Sequence, residues 1–149
     1  MLLKEGPLKE PRREDKVSEL AGSPKGNLKM RILIVDDSEP VRRGIRQILS
    51  QQGSWEVCAE AGDGTEGIEK AEMFKADVVL LDMNLPRTSG LETARILRKS
   101  MPKLKIVMMS QNDVCLLHES AVGAGADACV DKAVIATILV PTIKSLLPV

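Results

Sequence analysis

Five short apolar runs, each followed by a stretch with helical spacing, set the strongest constraint on how this chain can fold. The runs are "RILIVDD" at 31–37, the strand at 55–60 in "WEVCAEA", "DVVLLD" at 77–82, "LKIVMMS" at 104–110 and "ACVDK" at 128–132. Helix-like segments lie between them at 38–53, 65–74, about 89–100 and about 113–123, and a last one runs to about 147. In the first of these Ser38 is placed to cap, Pro40 fits the first turn, and Val41, Ile45, Ile48 and Leu49 share one face. Strict alternation of β and α elements implies parallel strands joined by right-handed crossovers. The expected fold is therefore α/β, an open sheet with helices on both faces.

A chain of 149 residues can build one domain with a substantial core, but not two of ordinary size. Residues 1–29 hold seven basic and five acidic side chains, three prolines and little periodic apolar pattern, so a flexible tail is expected there. Residues 30–149, with 14 basic and 16 acidic side chains, read as the compact domain. Met30 directly precedes the first strand and is the expected natural start. Zero net charge, with Trp55 and Phe74 as the only aromatics, argues against direct nucleic-acid binding. The apolar runs are too short to span a membrane and the N-terminus lacks a signal-like core, which points to a cytoplasmic protein. Cys58, Cys115 and Cys129 form no C-x-x-C pair and read as small core residues. Met101, Met108, Met109 and Phe74 are also expected in the core, and His118 on an exposed helix surface.

The segment "GDGTEG", Gly62–Gly67, has the G-x-G-x-x-G spacing of a dinucleotide-binding turn, with Asp82 twenty positions after Gly62. Two features oppose that function. "WEVCAEA" alternates, with Glu56, Cys58 and Glu60 on one side and Trp55, Val57 and Ala59 on the other, which marks an edge or half-exposed strand. A nucleotide-binding turn follows a central strand. Asp63 and Glu66 would also put negative charge inside the phosphate cradle. The glycines are expected to serve a tight turn into a helix.

In a parallel sheet the carboxyl ends of the strands emerge together, and ligands bind there. The polar residues ending the apolar strands are Asp36 and Asp37, Asp82, Ser110 and Lys132. One such residue is ordinary turn chemistry; five along one edge crowd like charges that need compensation. Hard oxygen donors in this number suit Mg²⁺ completed by a phosphate. Lys132 and Ser110 would serve further anionic oxygens of a phosphoryl group on Asp82.

These motifs resemble the receiver domain of two-component response regulators over about residues 30–147. "ILIVDDS" matches its acidic-pair strand, "VVLLDMNLPRTSGLE" its phosphoacceptor strand and loop, "KIVMMS" its hydroxyl strand and "GAGADACVDK" its lysine strand. "AGDGTEGIEKA" matches the family's turn into its second helix. The resemblance implies a flavodoxin-like (βα)5 three-layer sandwich with strand order 2-1-3-4-5. It implies that Asp82 accepts a phosphoryl group from a sensor histidine kinase or phosphotransfer protein. It also implies that Asp37, Asp82 and the Asn84 carbonyl hold Mg²⁺, with Asp36 acting through a metal-bound water. Ser110 and Lys132 would bind phosphoryl oxygens, and the output would pass to an effector or a second copy.

The chain departs from the family pattern at Cys129, where an aromatic is usual, at Gln111, where a small residue is common, and at Ala133, where proline is usual. Ala133 and Pro141 are shared with receivers of the NarL/LuxR-type branch. Pro141 leads to the expectation that the last helix begins or kinks near it. With 17 residues after Lys132, the chain has room for a final helix and no output domain. That suggests a stand-alone receiver or one excised from a LuxR-type transcription factor, catalysing only its own phosphorylation and dephosphorylation. The rivals are a pseudo-receiver that binds partners without phosphorylation, and an aspartyl-nucleophile phosphatase. The phosphatase normally keeps its acids as D-x-D after the first strand. Arg42, Arg43 and Arg46 read as a solvated helix face, with contact to the kinase as the second reading.

Overall fold

The computed structural model describes residues 28–111 and 114–148, with backbone alone for 114–118. Five strands alternate with five helices: β1 (Met30–Val35), α1 (Glu39–Leu49), β2 (Trp55–Ala61), α2 (Gly64–Met73), β3 (Val78–Asp82), α3 (Gly90–Ser100), β4 (Lys105–Ser110), α4 (Val114–Gly123), β5 (Ala128–Asp131) and α5 (Ile135–Leu146). All strands are parallel in the order β2-β1-β3-β4-β5, the flavodoxin-like arrangement. The expected tail falls almost wholly on residues outside those described, as do the side chains of Cys115 and His118.

Alternation along the strands divides the core into two halves. Leu33, Val35, Val79, Leu81, Ile106 and Met108 pack with Ala71 of α2, Ala94 and Leu97 of α3, and Ala121 of α4. Ile32, Ile34, Val78, Leu80, Val107 and Met109 pack with Ile45 and Leu49 of α1 and with Leu139 and Ile143 of α5. The runs without polar residues are thus the strands covered on both faces. Met108 and Met109 lie in the core as expected, whereas Phe74 and Met101 are only half-buried.

Four expectations need correction. The alternation assigned to β2 is broken by a bulge: Ile32 pairs with Val57 but Leu33 with Ala59, leaving Cys58 as an extra residue. Trp55 and Val57 pack on the α1 side, while Cys58, Ala59 and Ala61 pack on the α2 side. Glu60 consequently turns to α1, where it meets Arg42 and Arg46, and does not share a face with Glu56. A one-residue slip reverses every later side chain, so a pattern read without the partner strand cannot register it.

The last helix begins six residues before Pro141, not at it. A single 3-10 turn, Lys132–Val134, leads directly into α5, and Pro141 lies exposed inside the helix. A proline within a helix costs about 3 kcal/mol. Burial of Leu139 and Ile143 on either side offsets this at about 1.5–3 kcal/mol each. The arginines of α1 are not simply solvated either. Arg42 and Arg46 bind Glu60, and Arg43 binds Glu39. The first helix also stops at Leu49, four residues short of the expected end, since 50–53 has only polar side chains and a glycine.

Candidate functional site

β1 and β3 are neighbours, so their carboxyl ends deliver two carboxylates to one crevice. Asp36 follows β1 directly and is fully buried; Asp82 ends β3 and is 4% exposed. Asp37, one residue further on, is exposed. One carboxylate oxygen from each of the three lies within 4.8 Å of the others. Lys132 reaches in from the turn after β5, with its ammonium 2.6 Å from Asp36 Oδ2 and 3.3 Å from Asp82 Oδ1. Ser110 ends β4, one position beyond the Asp82–Met109 pair, and is fully buried. Asn84 is exposed, and its backbone N–H donates to Asp82 Oδ1 at 3.1 Å.

Local structure holds these groups in place. The Asp36 N–H donates to the Ala61 carbonyl, and Asp36 Oδ1 accepts the Ser38 N–H at 2.9 Å. Ser38 in turn caps α1 by accepting the Val41 N–H. Behind Asp82, α3 begins in backbone contact: a Cβ on Gly90 would collide with the Asp82 carbonyl oxygen and the Met83 Cα. Only glycine lets the helix start so close to the strand end.

Among the described residues the charges in the crevice do not balance, since three carboxylates gather where one ammonium bridges two of them. Burial pushes the Asp82 carboxyl above its ordinary range and the charge of Asp36 adds to this; the Asn84 N–H and Lys132 pull the other way without cancelling it. Apart from the ion-pair contact with Lys132, no donor among the described residues hydrogen-bonds to the buried Asp36 Oδ2. An under-satisfied buried oxygen beside two further carboxylates is a donor set for a hard divalent cation. The residues therefore fit Mg²⁺, and the exposure of Asp37 leaves the site open to water and phosphate.

The "GDGTEG" segment does other work. Asp63 caps α2 by accepting the Glu66 N–H at 2.8 Å, and Glu66 reaches back to accept the Gly62 N–H at 2.9 Å. Cβ atoms at Gly64 and Gly67 would run into Thr93 and Val35, so both glycines allow close packing of α2. Arg87, from the loop after Asp82, forms an ion pair with Asp63 at 2.5 Å. Reasoning from sequence missed that link. It also missed a bond from Arg42 to the Asp36 carbonyl, although a basic residue six positions after an acidic pair was visible.

The family model of the response regulator receiver domain matches residues 32–144. The chain belongs to that family. The receiver is 40% identical over 96 residues to the nitrate/nitrite response regulator protein NarP of Escherichia coli K12, covering 64% of this chain and 45% of that protein. It is 31% identical over 116 residues to the transcriptional regulatory protein DegU of Brevibacillus brevis, covering 78% and 49%. A crystal structure of a LuxR-family two-component response regulator from Aurantimonas sp. SI85-9A1 superposes with a TM-score of 0.75 at 29% identity, covering 79% of this chain and 84% of that one. These matches support the NarL/LuxR-type branch. The chain spans about half the length of the curated relatives it matches. No helix among the described residues is long and apolar enough to cross a membrane.

At the positions where this receiver departs from the family pattern, Gln111 is exposed, and Cys129 is half-buried against the α2–α4 side of the core. Burial, with Asp131 adding to it, pushes the Cys129 thiol up, so it behaves as a small neutral packing group.

Proposed function

We propose that this receiver takes a phosphoryl group from the phosphohistidine of a sensor kinase, or of a phosphotransfer protein, onto Asp82. The convergence of Asp36, Asp37 and Asp82 around one lysine carries the reading. An oxygen of the Asp82 carboxylate attacks phosphorus in line with the P–N bond. The O–P bond forms, the P–N bond breaks, and the imidazole leaves with the electron pair and takes a proton from solvent. Burial opposes the ionised nucleophile; the Lys132 ammonium beside it favours the ionised form and afterwards binds a phosphoryl oxygen. The Ser110 hydroxyl donates to a second oxygen. Asp37, Asp82 and the Asn84 carbonyl would hold Mg²⁺, with Asp36 acting through a bound water. The ion would supply charge neutralisation for the phosphoryl oxygens.

Catalysis is confined to the chain's own phosphorylation and dephosphorylation. The consequence is a change on the surface formed by α4, β5 and α5, read by an effector or a second copy. Cys129 offers no ring to rotate, so that coupling runs through packing shifts around Ser110. The receiver domain occupies residues 30–149. The setting is cytoplasmic, and transcriptional control through a DNA-binding partner domain is the output suggested by the names of the relatives.

Incubation with Mg²⁺ and acetyl phosphate, followed by intact mass measurement, tests the reading. The wild type should gain one phosphoryl group and Asp82→Asn none. No gain by the wild type would indicate a pseudo-receiver, and an equal gain by Asp82→Asn would move the acceptor elsewhere. Steady phosphate release from simple phosphomonoesters would favour an aspartyl phosphatase.

A further inference from the structure

Arg42 joins three parts of the molecule. Its Nη1 donates to the Asp36 carbonyl at 2.6 Å and its Nε to Glu60 Oε1 at 2.9 Å, with the Arg42 side chain only 17% exposed. The Asp36 carbonyl belongs to the planar peptide that connects Asp36 to Asp37. Holding that oxygen restrains the plane, and so the backbone from which both residues project their carboxylates. Arg42 is itself held by Glu60, which faces α1 only because Cys58 is an extra residue in β2. Without the bulge, Glu60 would point toward α2 and Arg42 would have no anionic anchor there.

We infer that Arg42, anchored by Glu60, is a positioning residue that orients the Asp36–Asp37 peptide and thereby sets the affinity of the acidic crevice for a divalent cation. The inference rests on the reading of that crevice as a Mg²⁺ site. Arg46 supplies an internal control. It binds the other oxygen of Glu60 at 2.5 Å and also Glu39, and among the described residues it makes no bond to Asp36. A merely structural role for the arginine–glutamate cluster would make Arg42 and Arg46 equivalent. A positioning role separates them.

The test is calorimetric titration of the full chain with Mg²⁺, without any phosphodonor, together with Tm measured in the absence of metal. Arg42→Gln should bind Mg²⁺ about tenfold more weakly than wild type, the loss typical when a group that orients metal ligands is removed. Arg46→Gln should lose only about twofold, a small coupling through the shared Glu60, because Arg42 keeps both of its own bonds, although its Tm also falls. Arg42→Lys, which can reach only one of the two acceptors, should fall between, and it serves as the primary variant if Arg42→Gln does not fold. Equal Mg²⁺ affinities for the Arg42 and Arg46 variants would overturn the inference. If wild type binds Mg²⁺, Asp37→Asn does not, and the Arg42 variants match wild type, the crevice is a metal site and only the role of Arg42 fails. If wild type binds no better than Asp37→Asn, the reading of the crevice fails first and the inference with it.

Discussion

At the N-terminal edge of the sheet Arg31 pairs with Glu56 at 2.5 Å and donates its backbone N–H to Asp77, so opposite charges meet. At the C-terminal edge of the same strands, Asp36, Asp37 and Asp82 crowd together, with Lys132 bridging Asp36 and Asp82. The N-terminal edge also carries a cavity of about 610 Å³ lined by Met30, Ala76, Met101, Leu104 and Leu147 among others. Room for a ligand therefore does not locate the chemistry in this molecule; uncompensated charge does. The strand interiors between the two edges supply the burial that tolerates a strained distribution of charge at one end.

The contrast can be broken at either edge, and the largest effect is expected behind Asp82. A Cβ at Gly90 would meet backbone atoms that cannot move independently of β3. Gly90→Ala should destabilise the fold by about 1–3 kcal/mol in urea denaturation, as overpacking does. It should also weaken Mg²⁺ binding by displacing Asp82. A neutral result would mean that the functional edge is soft rather than rigidly built.

The next effect concerns the sign of the imbalance. Burial raises the Asp82 pKa in the folded state, so protonation of this group favours the fold. Its stabilising share is complete below the unfolded carboxylate pKa and is lost as pH rises through the raised folded value. Near neutral pH, Asp82→Asn should therefore be more stable than wild type by about 1 kcal/mol, the ordinary scale of a single substitution. The advantage should vanish in acid, and saturating Mg²⁺ should narrow it by stabilising the wild type. Thermal melts across pH, with and without the metal, read both effects. A less stable Asp82→Asn at neutral pH would mean that the pairing with Lys132 outweighs burial.

The smallest effect sharpens the comparison from the other side. Arg31 and Glu56 are each more than a third exposed, so water screens the pair. Glu56→Gln should cost no more than about 0.5 kcal/mol, within the range of surface ion pairs, and should leave phosphorylation unchanged. A loss of phosphorylation would show that the two edges are coupled.

Much of this was readable along the chain. The apolar runs ILIV and VVLL, short, rich in β-branched residues and alternating with helical segments, read as strands covered on both faces. Strand-end positions then brought Asp36, Asp37, Asp82 and Lys132 to one crevice, since parallel strands all end on the same side. Glu60 is where this reasoning stopped. Its direction depends on a bulge defined by hydrogen bonds to β1, and a period-two pattern has no means of recording an inserted residue.

Sequence by itself determined the layers and the identity of the clustered acids, because these follow from local periodicity and the shared direction of the strands, whereas the strand order followed only from the resemblance to the receiver family. Tertiary structure alone decided that Arg42 grips the Asp36 carbonyl, that α5 continues through Pro141, and that burial rather than Lys132 governs Asp82. Each of those outcomes is a competition between contacts from segments distant in sequence. Its winner is set by packing distances that no single segment contains.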